Sequence, residues 1–135
     1  AVVVITPEDN NRPVTPDSPE GQANGKFLID YTYSASTTDP DGDQIMYLFD
    51  WGDGTTSGWL GPYDSGEECT ATNNWNWGTY NIRVKARDTN FDESDWSDPL
   101  QISMPKSKTV KNPLFFSILQ RLIEKFPILD ALFSI

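Results

Sequence analysis

From Thr79 to Arg87 the chain alternates without a break: Tyr80, Ile82, Val84 and Ala86 interleave with Thr79, Asn81, Arg83, Lys85 and Arg87. A period of two puts the apolar set on one face of an extended strand and the polar set on the other. A strand with one dry face needs a sheet around it and a second layer over it. Similar runs recur. Phe27, Ile29, Tyr31, Tyr33 and Ala35 alternate with polar residues, Ile45, Tyr47, Phe49 and Trp51 share one face, and so do Leu100, Ile102 and Met104. Shorter candidates are Thr55–Leu60, Glu68–Trp75 and an irregular, proline-rich edge strand around Arg12–Thr15. Turn chemistry separates them at Asp39-Pro-Asp-Gly-Asp43, Gly52-Asp-Gly54, Gly61-Pro62, Ser65-Gly66 and Trp77-Gly78. The pattern predicts an all-β sandwich of about seven strands with Greek-key connections.

Charge divides the chain in two. Residues 1–104 hold 18 acidic and 5 basic side chains, whereas residues 105–135 hold 2 acidic and 5 basic. The first part is the sandwich with its N-terminal arm, and the second is a basic linker leading into an apolar tail. A sandwich over residues 11–104, an arm over 1–10 and a tail over 105–135 are therefore expected. With no His in the chain, Ser-His-Asp and Cys-His machinery is excluded, as is the commonest transition-metal ligand. The net charge of −10 argues against nucleic acid, whose phosphates need a basic face. No N-x-S/T acceptor for N-glycosylation occurs.

Both ends carry surplus apolar residues. The arm Ala1-Val-Val-Val-Ile-Thr6 reads as a strand apolar on both faces. In the tail, Asn112-Pro113 gives a cap followed by proline at the first helical position. Phe115, Ile118, Leu119, Leu122 and Phe126 then fall on one helical face, Pro127 ends the helix, and Leu129 and Phe133 lie in a short apolar segment beyond it. Apolar surface that a complete sandwich does not need marks an interface, the competing reading of the tail being a helix folded back on its own sandwich over one sheet edge. The candidate contacts are Val2, Val3, Val4, Ile5, Phe115, Ile118, Leu119, Leu122, Phe126, Leu129 and Phe133. Their partner would be another copy of the chain or a neighbouring surface protein. Contact with a membrane surface stays open, but no apolar run is long enough to span one. A start without Met or a basic leader is compatible with a mature end left by signal-peptide removal.

Asp39-Pro-Asp-Gly-Asp-Gln-Ile45, then Tyr47-Leu-Phe-Asp-Trp-Gly-Asp-Gly-Thr55, resembles the PKD (polycystic-kidney-disease) repeat. So does Trp77-Gly-Thr-Tyr-Asn-Ile-Arg-Val-Lys-Ala-Arg-Asp88. Ser94-Asp-Trp-Ser-Asp-Pro-Leu100 is similar to the entry to the last strand in archaeal and some bacterial surface-protein members. The resemblance covers about Asn11 to Met104 and implies an immunoglobulin-like sandwich, an extracellular or cell-surface location and no catalysis. It also brings in Ca²⁺, which some relatives bind near the Asp-Pro-Asp-Gly loop.

Several residues have both a chemical and a structural reading. Asp39, Asp41 and Asp43 have the alternate spacing of a Ca²⁺ loop. An EF-hand fails because Gln44 stands where glycine is needed, and the competing reading is a solvated turn. Asp50 and Asp53 form a carboxylate pair, but no nucleophile or oxyanion hole accompanies them, so they read as turn residues. Among the five tryptophans, Trp51 and Trp75 are expected in the core. Trp59, Tyr63 and Trp77 are the candidates for stacking on a polymer. Cys69 reads as a buried small apolar residue. The leading expectation is a non-enzymatic structural or adhesion module that self-associates through its ends, with a filament as one product. The alternative is an accessory, polymer-binding domain of a secreted peptidase or glycosidase.

Overall fold

The structure, a computed structural model, describes residues 9–106 and the helix at 113–125. The described residues form six strands: β1 (Tyr31–Ala35), β2 (Ile45–Asp50), β3 (Leu60–Tyr63), β4 (Cys69–Asn73), β5 (Gly78–Arg87) and β6 (Leu100–Met104). They make two antiparallel sheets, β1-β4 and β3-β2-β5-β6. The chain changes sheet between β1 and β2, between β3 and β4, and between β4 and β5. The architecture is an immunoglobulin-like β-sandwich. The helix α1 (Pro113–Lys125) opens on the proline predicted to start it.

The inward halves of the alternating strands make the core. Tyr33 and Cys69 come from the small sheet, and Ile45, Tyr47, Phe49, Ile82, Val84, Ala86, Ile102 and Met104 from the large one. Trp51 and Trp75 fill the space between the sheets at one end, as expected. The Trp75 indole N–H donates to the Trp51 carbonyl at 3.0 Å, and the rings meet edge to face at 5.6 Å. Tyr33 packs edge-on against Trp75 at 5.7 Å. Each ring buries a large apolar area, and the Trp75 indole N–H keeps a partner, which offsets the desolvation of its polar tip.

The structure corrects three local expectations. The first strand starts at Tyr31, four residues later than the alternation suggested. Leu28 adopts φ 58°, its amide donates to the Trp75 carbonyl at 2.7 Å, and Ile29 is 50% exposed. The Arg12–Thr15 segment forms no strand. It is held by one backbone bond, Val14 N–H to the Thr38 carbonyl at 2.9 Å, because Pro13, Pro16 and Pro19 lack ladder donors and are instead buried. The Thr55–Leu60 candidate gives only a bridge at Thr56, and its strand lies at Leu60–Tyr63. The N-terminal strand expected at residues 1–6 lies outside the described residues.

Candidate functional site

Two loops of the same design meet at the end of the sandwich where the chain enters. After β1, Asp39 Oδ1 accepts the amides of Asp41 (2.9 Å) and Asp43 (3.3 Å). After β5, Asp88 Oδ1 accepts the amides of Asn90 (2.9 Å) and Asp92 (3.0 Å). In both loops one buried carboxylate binds the amides two and four residues on, which folds the turn locally. Asparagines of the entering chain join the loops. Asn10 Nδ2 donates to Asp88 Oδ2 and to Asp92 Oδ2, both at 2.6 Å, and the Asn11 amide donates to Asp41 Oδ2 at 2.7 Å. Asp88 is buried, as is Asp39.

Asp39, Asp41 and Asp43 are brought together as the sequence suggested. One carboxylate oxygen from each lies within 4.8 Å of the other two. Asp39 is only 5% exposed, and its Oδ2 is buried with no hydrogen-bond partner. Partial burial, then the charges of Asp39, Asp41 and Asp88, hold the Asp43 carboxyl above the usual carboxylate range. A buried oxygen without a donor, next to two further carboxylates, fits a hard cation such as Ca²⁺. Asp88, Asp92 and Asn10 were not singled out from sequence. The signal was present, since Asp88 and Asp92 repeat the spacing of Asp39 and Asp43 just beyond a strand.

The three stacking candidates do not form one surface. Trp59 lies beside the outer face of β5, with the Arg87 guanidinium 4.2 Å from its ring centroid. Tyr63 is half-buried and turned toward the core, edge-on to Tyr47 at 5.8 Å. Trp77 lies at the other end of β5 and is 49% exposed. Nine residues of extended chain separate the levels of Trp77 and Ala86, roughly 30 Å. Burial also explains the thiol: it pushes Cys69 up, against a smaller opposing effect of its hydrogen bond with Tyr63.

On the outer face of the large sheet, rings and cations alternate. Trp96 lies 4.6 Å from Arg83 and 4.7 Å from Lys85, Trp59 lies 4.2 Å from Arg87, and Phe91 covers Arg87 from 4.9 Å. Ser94-Asp-Trp-Ser97 builds this ladder. The amides of Ser94 and Ser97 donate to the Ala86 and Val84 carbonyls, both at 2.8 Å. Their hydroxyls accept the Ala86 and Val84 amides, both at 3.0 Å. The segment thus pairs with β5 as a strand would and turns Trp96 outward. Asp50 pairs with Arg83 at 3.0 Å and caps the Gly52 amide, while Asp53 caps Thr55. Both acids act as the turn residues expected of them.

Scans against protein-family models and against curated proteins gave no match. Among solved structures, the PKD domain of an M14-like peptidase from Thermoplasmatales archaeon SCGC AB-540-F20 is 44% identical. The match covers 73% of this chain and 100% of that domain, with a TM-score of 0.68. A fourth FNIII domain from human aligns at 16% identity over 82% of this chain and 95% of its own, with a TM-score of 0.43. The matched identity and coverage agree with the Trp51-Gly-Asp-Gly54 hairpin and the Gly78-Thr-Tyr80 strand entry, and the chain belongs to the PKD domain family.

Proposed function

We propose that this chain is a non-catalytic accessory module of an extracellular protein, of the kind joined to a peptidase, and that it orients its neighbours. The observation that carries this reading is the 44% identity to the PKD domain of an M14-like peptidase, across the whole of that domain. The scattered aromatics support positioning over polymer gripping. Of the three candidates, Trp59 is capped by Arg87, Tyr63 faces inward, and Trp77 alone offers a half-open ring. No described helix is long and apolar enough to cross a membrane.

Asp39, Asp41 and Asp43 would hold a Ca²⁺ ion, which neutralises their mutual repulsion and gives Asp39 Oδ2 a partner. Asn10 and Asn11 bind the two acidic loops directly, so a cation there would stiffen the point where the chain enters the sandwich.

A second reading, assembly through the apolar ends, is favoured by the exposure of Ile118 (51%) and Leu122 (43%). Val2–Ile5, Phe126, Leu129 and Phe133 of that proposed interface lie outside the described residues, as does the side chain of Phe115. Co-sedimentation with insoluble collagen and polysaccharide, together with analytical ultracentrifugation, tests the module reading. A monomer that remains in the supernatant is expected. Retention that Trp77→Ala abolishes would favour polymer binding, and a concentration-dependent mass would favour assembly.

A further inference from the structure

The two ends of the sandwich differ in character. Chain entry is ringed by carboxylates, whereas chain exit carries an apolar patch. At the exit, Leu28 is 59% exposed, Ile29 50% and Trp77 49%. Phe27 packs edge-on against Trp77 at 5.2 Å, and the Leu28 amide bonds to the Trp75 carbonyl, so the two segments form one surface. Leu28 is displayed at φ 58°. A left-handed backbone costs a leucine roughly 1–2 kcal/mol, and that strain turns an apolar side chain into solvent.

The chain leaves the sandwich across this patch. Met104 pairs with Gly78, next to Trp77, and the Lys106 ammonium lies 5.3 Å from the centre of the Trp77 ring. Seven chain steps then lead to α1, a reach of at most about 25 Å. On α1, Ile118 and Leu122 are one turn apart on one face and 51% and 43% exposed. Arg121 borders that stripe, and Asp30 borders the patch beside Ile29. Two exposed apolar surfaces are thus joined by a short tether, which makes their encounter intramolecular at an effective concentration near millimolar.

We infer that α1 packs on the Phe27–Ile29 and Trp77 patch of its own chain, closing the exit end of the sandwich. The docked helix covers Leu28 and Ile29, and any segment that follows is held against the sandwich instead of swinging on a free linker.

NMR on the full 135-residue chain tests this, with the wild type compared against Ile118→Glu/Leu122→Glu. The two glutamates sit at exposed helix positions, so the indole N–H signals of the buried Trp51 and Trp75 stay in place as the check on sandwich folding. The expected result is a shift of the Trp77 indole N–H and of the Leu28 and Ile29 methyl signals in the variant, unchanged on tenfold dilution. In the wild type, helix amides should tumble with the sandwich; in the variant they should move faster. Leu28→Ser/Ile29→Ser should release the helix in the same way from the other side. Patch signals indifferent to the helix variant would overturn the inference. So would a wild-type contact that disappears on dilution, which would assign the helix to a second copy.

Discussion

At the scale of single residues, the Trp51-Gly-Asp-Gly54 turn separates two glycine requirements. Gly52 (φ 74°) and Gly54 (φ 89°) both adopt backbone conformations that L-residues avoid. Only Gly52 is also crowded, since a Cβ there would lie 2.5 Å from the Asn81 carbonyl oxygen, while one on Gly54 would meet nothing within 4 Å. Gly54→Ala should therefore cost about 1–2 kcal/mol from strain alone. Gly52→Ala should cost a further 1–3 kcal/mol or so for displaced backbone. Urea midpoints of the two variants check the order. Asp43 gives a pH prediction. Its folded pKa lies above the ordinary carboxylate value, because of partial burial and then the charges of Asp39, Asp41 and Asp88. The folded state therefore binds this proton more tightly than the unfolded chain does. The resulting stability is present below the ordinary range and is lost as pH rises through the raised value. In metal-free buffer at neutral pH, Asp43→Asn should thus raise the urea midpoint, and the gain should shrink as the pH falls. A lower midpoint at neutral pH would contradict the repulsion.

At the scale of elements, the outer face of β5 shows what sequence reading captured and where it stopped. Its alternation placed Ile82, Val84 and Ala86 inside and Arg83, Lys85 and Arg87 outside, because a buried face can be read from period two. The rings between those cations come from outside the strand. Trp59 precedes β3, and Trp96 rides on the serine-paired segment after β5, a non-local arrangement that no local period encodes. The same limit explains the candidate site. Asp39, Asp41 and Asp43 alternate within one short loop and are legible, whereas Asp88 and Asn10 join that end only through the fold. The start of β1 was misplaced for a related reason: the alternation runs on through Phe27 and Ile29, but the bond from Leu28 to Trp75 decides their conformation. The ladder itself can be measured. A double-mutant cycle of Trp59→Leu and Arg87→Met should give a coupling of about 0.5–1 kcal/mol, with up to 2 if the pair is well desolvated. Arg87 also has a buried Nε without a partner, and its terminal nitrogen lies 3.8 Å from Met46 Sδ. The single Arg87→Met change should therefore be milder than Trp59→Leu, because it retains the aliphatic packing and removes the unpaired N–H. Additive single effects in chemical denaturation would dissolve the ladder into independent contacts.

At the scale of the whole molecule, the acidic side chains set the conditions for stability. Asp39, Asp41, Asp43, Asp88 and Asp92 cluster where the chain enters, while Arg83 and Lys85 of the large sheet pair with other acids, Asp50 at 3.0 Å and Glu93 at 2.9 Å. Two effects of salt then compete. Screening weakens those exposed ion pairs, which are worth about 0–1 kcal/mol each. It also relieves the carboxylate repulsion, which has no such limit of pairing. Lengthening the Debye screening from about 8 Å to about 30 Å by dilution reaches across the acidic end, so the chain should lose stability at low salt. Calcium acts on the same end but not by screening. A site present only in the folded state adds about 1.4 kcal/mol at a tenfold excess over its dissociation constant. Asp39 contributes the buried oxygen, so Asp39→Asn should abolish the calcium gain and leave the sodium chloride response in place. Asp53→Asn, at the opposite turn, should leave both intact. Urea denaturation of the three proteins with matched ionic strengths of sodium and calcium chloride separates the effects. If calcium and sodium stabilise equally once ionic strength is matched, the acidic end is a field and not a site.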